Sequence, residues 1–426
     1  MFAVVAPIAA LLLSAALLLT GHGLQGTLLP VRAGLEAYSP FDISVLGSSY
    51  FVGFMFGCVA GPLFVRRAGH IRTFLAMVGI ASSVCLVHAL FLDPIIWWVM
   101  RAATGMCLAV LYMVIESWLN ARSSNENRGF VFSIYVIINL FVMTLGQMML
   151  ILADPGEFPL FALASILVSL AAVPIAFTRF SAPEPVETVK IDIGGLFRSS
   201  PVGVLGCLTT GLAIGSFWAL GPLFAQSSGG DVKTVAYFMS AAVIGGAISQ
   251  WPIGWISDRL DRRAVLVATC IAAGLAGVGL SIFGAGDIQI LIGFGFLFGA
   301  FGFPVYALCV AHTNDHVNPD DYVQTASALL LLYGFGAAVG PLLASLVIDF
   351  MGVGVLFTFA AVAYLVMTVF TLFRMMRRPP MPEEEQISFA DALRIAKTVS
   401  TVDVLQPETE EEPDGVVPET AGTPGS

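Results

Sequence analysis

The chain contains the stretch Gly105-Met-Cys-Leu-Ala-Val-Leu-Tyr112-Met-Val-Ile-Glu-Ser-Trp-Leu-Asn120 and, 194 positions later, the stretch Gly299-Ala-Phe-Gly-Phe-Pro-Val-Tyr306-Ala-Leu-Cys-Val-Ala-His-Thr-Asn314. Glycine, tyrosine and asparagine stand at equivalent positions in both stretches. Gly146 and Gly340 form a further pair at the same separation. Two similar apolar halves in one chain predict an architecture of parallel repeats, with a functional site between the halves.

The composition is that of a membrane protein. Hydrophobic residues make up 57% of the 426 residues, charged residues only 11%, and the mean hydropathy is +0.88. A soluble domain carries about 25% charged residues. Apolar runs of about 20 residues recur along the chain, and each is a candidate spanning helix because a helix satisfies its own backbone hydrogen bonds in hydrocarbon. The runs are continuous, whereas the strands of a membrane β-barrel alternate.

These runs predict an all-α membrane protein with twelve transmembrane helices, arranged as two parallel, pseudo-repeated six-helix halves. The first run is longer than the apolar core of a signal peptide and has no basic residues before it, so we expect a retained helix. The twelve predicted spans are 3–30, 44–65, 72–92, 95–119, 130–152, 158–178, 201–225, 234–255, 264–285, 288–310, 325–348 and 354–373.

Lysine and arginine residues are concentrated in alternate loops. Sixteen of the nineteen fall in the loops and tail that share one side of the predicted bundle with both termini. The loops on the other side hold only Arg32 and Lys233, and Arg101 lies within a helix. Because positively charged loops remain in the cytoplasm, we expect a multi-pass protein of the inner (plasma) membrane with both termini cytoplasmic.

Composition divides the chain into four parts. A linker rich in proline and glycine, 179–200, separates an N-terminal six-helix half, 1–178, from a C-terminal half, 201–373. The last part, 374–426, is a cytoplasmic tail. Beyond Arg378 this tail has eleven acidic and two basic residues, which account for most of the net charge of −10 and predict a disordered, solvated segment. An interaction or regulatory role is the alternative to a dispensable tail.

Several classes of protein lack support in the sequence. The six cysteines fall inside apolar runs without a CxxC pair, so we expect neither a disulfide framework nor a metal site. The chain has no phosphate-binding loop, zinc-protease motif or serine-hydrolase motif, and no basic patch that would bind nucleic acid. We therefore expect no catalytic residue and no cofactor. The expected partners are a small solute and the lipid bilayer, and the expected state is a monomer.

The strongest local motif is Gly254-Trp-Ile-Ser-Asp258-Arg259-Leu-Asp261-Arg262-Arg263, in the predicted inner loop between helices 8 and 9. It resembles the G-x-x-x-D-R-x-G-R-R signature of the major facilitator superfamily. Glycine lets helices approach closely. The resemblance implies that Asp258 and the arginines latch the cytoplasmic ends of neighbouring helices as a gate. The alternative is that the arginines only set the topology.

The first half carries a degraded copy of this motif between helices 2 and 3. Gly61, Arg66 and Arg67 match the signature, but Val65 stands where its aspartate belongs. The resemblance extends the gate role to the three matching residues. A role in topology alone is again the alternative.

Arg101 is a charge inside a predicted span, about six residues into helix 4. A charge inside a membrane helix is expensive and usually faces the interior of the bundle or a wet cavity. The pattern Arg101-Ala-Ala-Thr-Gly105 also resembles a superfamily motif of helix 4, which implies a role with substrate or proton. The alternative is a side chain that snorkels to the outer interface.

Glu116 is the acidic residue clearly inside a predicted helix, near the inner end of helix 4. It lies fifteen residues beyond Arg101, or roughly 22 Å along one helix, so the two cannot pair. Glu116 is a candidate proton carrier. It is also a candidate replacement for the missing aspartate, as a latch to Arg66 or Arg67.

In the superfamily, helices 1, 4, 7 and 10 line a central cavity, with help from helices 5, 8 and 11. Polar and aromatic residues on these helices are therefore candidates for the cavity lining, and packing between helices is the alternative for each. The candidates are Gln25, Arg101, Tyr112, Asn139, Trp218, Tyr306 and Tyr333.

The motifs Gly69-His70-Ile-Arg72, Glu116-Ser-Trp-Leu-Asn120 and Leu330-Leu-Leu-Tyr-Gly334 resemble those of a branch of bacterial inner-membrane transporters with no assigned substrate. The resemblance covers residues 1–378. It implies secondary active transport of a small solute by alternating access, with proton coupling in symport or antiport. The alternatives are an uncoupled facilitator and a non-transporting receptor or scaffold on the same fold.

Overall fold

The computed structural model describes residues 8–123, 127–177, 193–377, 381 and 386–392. In these residues the chain forms twelve helices that are long and apolar enough to cross a membrane, and no β-strand, as predicted. We number them α1 to α12. Their bounds are Ala9–Leu35, Pro40–Ala68, His70–Leu90, Pro94–Ala121, Arg128–Met148, Pro159–Leu170 continued by Ala172–Ala176, Pro201–Ser227, Val232–Ser257, Arg262–Phe283, Ile288–Gly302 continued by Pro304–Asn314, Tyr322–Met351 and Leu356–Met375.

Polar residues in the loops decide where several helices begin. The backbone N–H of Asp42 donates to Ser39 Oγ, the Ser39 N–H donates to Asp42, and Pro40 supplies the first helical residue. This reciprocal cap starts α2 four residues before the predicted start at 44, because a cap satisfies orphan N–H groups at a polar position that hydropathy does not mark. The Asp93 carboxylate accepts the N–H groups of Ile95 and Ile96 at the start of α4, and the Asp231 carboxylate accepts the Thr234 N–H at the start of α8.

The repeated glycines have the same packing role in both halves. A Cβ atom on Gly105 of α4 would overlap the carbonyl oxygen of Tyr50 on α2. A Cβ atom on the equivalent Gly299 of α10 would overlap the carbonyl oxygen of Ala242 on α8. Each pair of helices is thus in direct backbone contact, which only glycine permits. The sequence repeat is therefore a repeat of helix packing, as the two predicted halves require.

The side of the bundle that carries the α2–α3 and α8–α9 loops is called the basic side here, because it holds Arg66, Arg67, Arg259, Arg262 and Arg263. The other end is called the opposite side.

Large apolar side chains face outward around the bundle. Phe350 is 89% exposed and Phe177 is 86% exposed, whereas residues such as Trp97 and Phe298 are buried inside. An outer surface of this kind suits lipid rather than water.

Much of the predicted linker and tail lies outside the described residues, namely 178–192, 378–380, 382–385 and 393–426. The described part of the linker contains the short helix Ile193–Ser199. The described part of the tail is mainly residues 386–392, of which 389–392 are helical. The boundaries predicted for the four parts of the chain stay predictions.

Candidate functional site

A central cavity of about 250 Å³ lies among α1, α2, α4, α5, α7 and α11. It therefore takes residues from both halves, as expected for a site between repeats. Its wall is mainly apolar and aromatic, and Arg101 is the one formally charged residue among the described residues that line it.

Arg101 lies inside the bundle with 8% of its surface exposed. Its Cζ atom lies 4.7 Å from the centre of the Tyr50 ring, a cation–π contact. Its Nη1 atom has no hydrogen-bond partner among the described residues. Because the side chain is enclosed rather than extended to a membrane interface, the geometry supports the cavity position and not snorkelling. A guanidinium with an unused donor is a ready site for an anion.

Tyr50 and His22 are lining residues that the sequence-based set left out. Their rings stack with centroids 5.4 Å apart, and Tyr50 Oη lies 3.4 Å from His22 Nε2. His22 Nδ1 has no described hydrogen-bond partner. The expected lining included no residue of helix 2, and Tyr50 could have been found only from its depth in that helix, close to the depth of Arg101.

The structure separates the seven predicted lining residues into two groups. Arg101, Tyr112, Trp218 and Tyr333 line the cavity. The other three, Gln25, Asn139 and Tyr306, are not among its lining residues.

These three residues occupy different surroundings. Gln25 is buried on α1. Asn139 is half-buried on α5. Tyr306 packs against Tyr333 with ring centroids 5.0 Å apart, so it touches a lining residue. Their proposed contact with substrate stays a prediction.

Glu116 is buried in α4, with 3% of its surface exposed. The hydroxyl of Tyr135 on α5 donates to its Oε1 at 3.5 Å. Arg66 and Arg67, its predicted latch partners, are exposed at the end of α2. Glu116 therefore lies inside the bundle, and its roles as proton carrier or latch stay predictions.

The α8–α9 loop forms a compact charge cluster. Arg262 is 2% exposed, and its Nη1 atom contacts both carboxylate oxygens of Asp315, at 2.8 and 2.9 Å. Its Nη2 atom lies 3.0 Å from Asp258. Arg263 pairs with Asp261 at 2.9 Å. The two carboxylates and the guanidinium thus tie the end of α8 to the end of α10.

The remaining residues of the motif lie beside this cluster. The exposed Arg259 stacks on Trp255, with Cζ 3.9 Å from the ring centre. Gly254 is buried, and a Cβ atom there would overlap the ring of Phe389 from the tail.

Asp315 is a member of the cluster that sequence reasoning missed. It follows the repeated Asn314, and its equivalent in the first half is Ala121. Desolvation raises the pKa of its carboxyl above the ordinary value, although the Arg262 guanidinium opposes the rise. The sequence marks Asp315 only weakly, as an acidic residue at the predicted inner end of helix 10, on the same side of the membrane as the arginines of the motif.

The degraded copy of the motif in the first half is packed differently. Val65 is buried, and Gly61 approaches Met113, whose Cε atom would lie 2.6 Å from a Cβ atom on that glycine. His70 Nε2 lies 3.3 Å from Ser117 Oγ, and its ring lies 5.8 Å from that of Trp118. Two sequence motifs of the first half therefore contact each other, so that a histidine and a serine join α3 to α4 on the basic side.

In the part of the chain that the structure describes, twelve membrane-length helices, a repeated packing pattern and a central cavity between the halves define a polytopic transporter. A family model described as Major Facilitator Superfamily matches residues 11–288 and 204–406. The chain therefore belongs to this superfamily, and it is a membrane transporter rather than an enzyme.

The relatives agree with this assignment. The chain is 28% identical over 334 residues to the "Uncharacterized MFS-type transporter YcaD" of Escherichia fergusonii, covering 78% of this chain and 86% of that protein. The nucleoside transporter NupG has a similar structure, with a TM-score of 0.75, 12% identity, and coverage of 87% and 99% of the two chains. The E. coli fucose:proton symporter FucP superposes with a TM-score of 0.55 and 14% identity, covering 87% and 99%. At these identities the two solved structures show the fold alone.

Proposed function

We propose that this protein is a secondary active transporter that carries a small carboxylate-bearing solute by alternating access. The observation that carries the proposal is Arg101, an enclosed guanidinium with a free donor in a cavity whose described lining has no acidic residue. Such a charge is stabilised when an anion binds to it, because a charge-assisted hydrogen bond replaces lost hydration.

The rest of the cavity suits the body of an organic acid rather than a bare inorganic anion. Tyr50, Trp218 and Tyr333 offer aromatic surfaces, and His22 offers a nitrogen without a described partner. A few polar groups among apolar walls fix the orientation of a ligand. The solute would place its carboxylate on Arg101 and its less polar part against the aromatic rings.

The proposed setting is the bacterial inner membrane, with the basic side and both termini in the cytoplasm. The support is the concentration of arginine in the α2–α3 and α8–α9 loops.

Proton coupling is part of the proposal, with Glu116 as the carrier. The support is its burial within α4 and the hydrogen bond that it accepts from Tyr135 on α5. FucP, a neighbour in fold, is a proton symporter. A carboxyl enclosed between helices can exchange a proton when the conformational change gives it access to either side.

The test is a thermal-shift screen of purified protein with small organic acids, each paired with its uncharged amide. A ligand that binds the native state at 100 times its Kd stabilises the protein by about 2.7 kcal/mol. We expect an acid, and not its amide, to raise the unfolding temperature of wild type. The effect should vanish in Arg101→Gln and persist in the control Arg198→Gln, which changes an exposed arginine of the short helix Ile193–Ser199. Stabilisation by neutral solutes alone, unchanged in Arg101→Gln, would refute the proposed substrate class.

Proteoliposome flux of the acid that binds then separates the modes of transport. A pH gradient that drives accumulation indicates coupling. Equilibration without accumulation indicates a facilitator, and binding without flux indicates a receptor.

A further inference from the structure

The described part of the C-terminal tail is docked on the basic side of the bundle. We call residues 386–392 the tail segment. Phe389 is 4% exposed and Ala392 is fully buried, although the composition of the tail predicts a solvated chain. Ser388 caps the short helix of the segment: its Oγ accepts the N–H of Asp391 at 3.1 Å and donates to the Asp391 carboxylate at 2.7 Å.

The backbone of the tail segment completes the charge cluster of the α8–α9 loop. The Ile387 N–H donates to Asp315 at 3.1 Å, and the Phe389 N–H donates to Asp258 at 2.7 Å. Arg262 Nη2 donates to the Ile387 carbonyl oxygen at 2.8 Å. Each of the two carboxylates therefore receives one donor from Arg262 and one from the tail segment.

The ring of Phe389 lies directly on Gly254. Because a Cβ atom at that position would overlap the ring, the glycine of the motif provides the seat for this side chain. The contact joins a backbone surface, an aromatic side chain and three hydrogen bonds at one place, which is more than an incidental approach of a solvated tail would provide.

The docked segment also forms one wall of a groove between the two halves. The groove has a volume of about 490 Å³, and its other walls come from Gly129–Leu140 of α5 and Ala247–Asp258 of α8. On the opposite side, α2 and α7 are in close contact, since a Cβ atom on Gly47 would overlap the Ala219 side chain. The ends of α5 and α8 therefore have room to approach on the basic side, and the tail segment lies in that room.

We propose that the tail segment is an intramolecular lock: docked on Asp258, Arg262, Asp315 and Gly254, it keeps α5 and α8 apart and holds the basic side open. Release of the segment lets the two helices approach and so admits the alternate conformation. The inference rests on the proposed alternating access, but not on the identity of the substrate.

The experiment measures two distances by spin labelling of the otherwise full-length protein in lipid nanodiscs, with the six native cysteines replaced. Labels at Ser133→Cys and Gln250→Cys report on the groove, and labels at Leu35→Cys and Ser227→Cys report on the opposite side. Three changes remove the lock independently: a chain that ends at Glu385, Phe389→Asp, and Gly254→Ala, which fills the seat. The matched control is a chain that ends at Ser400, which loses most of the acidic tail but keeps the segment.

We expect each of the three changes to shift the Ser133–Gln250 separation toward shorter values, while the Ser400 chain matches wild type. A peptide with the sequence of residues 385–394 should restore the longer separation in the chain that ends at Glu385, and the same peptide with Asp for Phe389 should not. If the Ser133–Gln250 distances are identical in all chains, and both label pairs show a short and a long distance, the lock is overturned and alternating access stays intact. A single unchanged distance at both pairs in every variant would contradict alternating access as well.

Discussion

Arg262 and Asp315 form a buried ion pair that joins the start of α9 to the end of α10, with both side chains only 2% exposed. The two residues are 53 positions apart in the chain, and the pair fixes the basic-side ends of these two consecutive helices together. Its partners Asp258 and Ile387 extend the connection to α8 and to the tail segment.

The Arg262–Asp315 pair predicts a strongly non-additive pair of mutants. Arg262→Met should lower the stability by about 3–5 kcal/mol, because it leaves the Asp315 carboxylate buried without its counter-ion. Adding Asp315→Leu should restore most of that loss, since two apolar side chains replace two charges. Arg259→Met is the control and should cost less than about 1 kcal/mol, because Arg259 is exposed. Thermal unfolding in detergent measures the stability of wild type, Arg262→Met, the double mutant Arg262→Met/Asp315→Leu and Arg259→Met. Equal losses of stability in Arg262→Met and in the double mutant would contradict the pairing.

The raised pKa of Asp315 gives a pH dependence with a defined sign. A raised pKa means that the Asp315 carboxyl binds its proton more tightly in the folded protein than in the unfolded chain. The stability contributed by the group is therefore full below the ordinary pKa of aspartate and is lost as the pH rises through the raised value. We expect the unfolding temperature to fall across this window in wild type and to fall less in Asp315→Asn.

The groups that interact with the Asp315 carboxyl include the Arg262 guanidinium, His316, the Ile387 N–H and the Tyr322 side chain. His316→Gln is the control for the imidazole beside this carboxyl. It should keep the wild-type slope in this window, and loss of the slope in this variant would assign the effect to the histidine.

Arg101 should be reachable from the cavity. In a background without the six native cysteines, Arg101→Cys should react with a membrane-impermeant thiol reagent, because the residue lines a cavity rather than the lipid surface. In a chain that keeps Arg101, the same reagent should label Leu330→Cys on the cavity wall, and a bound acid should slow that reaction at least tenfold at saturation, which corresponds to about 1.4 kcal/mol of protection. Cys207 restored alone is a buried control that should stay unreactive. Absence of labelling at position 101 in every condition would remove it from the cavity.

Glu116 should be required for coupling and not for binding. Glu116→Gln cannot carry a proton, so it should abolish accumulation driven by a pH gradient and leave exchange of solute across the membrane intact. Glu157→Gln, at an exposed loop position, should behave as wild type. Retained activity in Glu116→Asp, together with rescue of Glu116→Gln by Val65→Asp, would instead support the latch to Arg66 or Arg67.

The fold could be predicted because its determinants are local or periodic. Twelve apolar runs set the helices, and glycines such as Gly105 and Gly299 recur where two backbones touch. The ends of the helices are harder to predict from the sequence, because a cap such as Ser39 acts through individual hydrogen bonds and not through hydropathy.

The site could be predicted only in part. Arg101 was found because a charge in a span has a strong energetic reason to face a cavity. Tyr50 and His22 were not among the expected lining residues, because the side of a helix that faces the cavity depends on how α1 and α2 rotate against their neighbours. The contacts of Asp315 and Phe389 with the α8–α9 loop join distant parts of the chain, and no spacing rule marks them.

The direct backbone contact at Gly105 and at Gly299 has a mechanical consequence. Where two helices touch through their main chains, no side chains lie between them that could slide or repack. We therefore expect α2 with α4, and α8 with α10, to move as rigid pairs. Movement between the halves must then come from rotation of these rigid pairs against other helices. One such surface lies between Met55 of α2 and Gly334 of α11, where a flexible side chain separates the two backbones. Larger residues at Gly105 and Gly299 would push the paired helices apart, and each pair would then no longer move as one rigid unit.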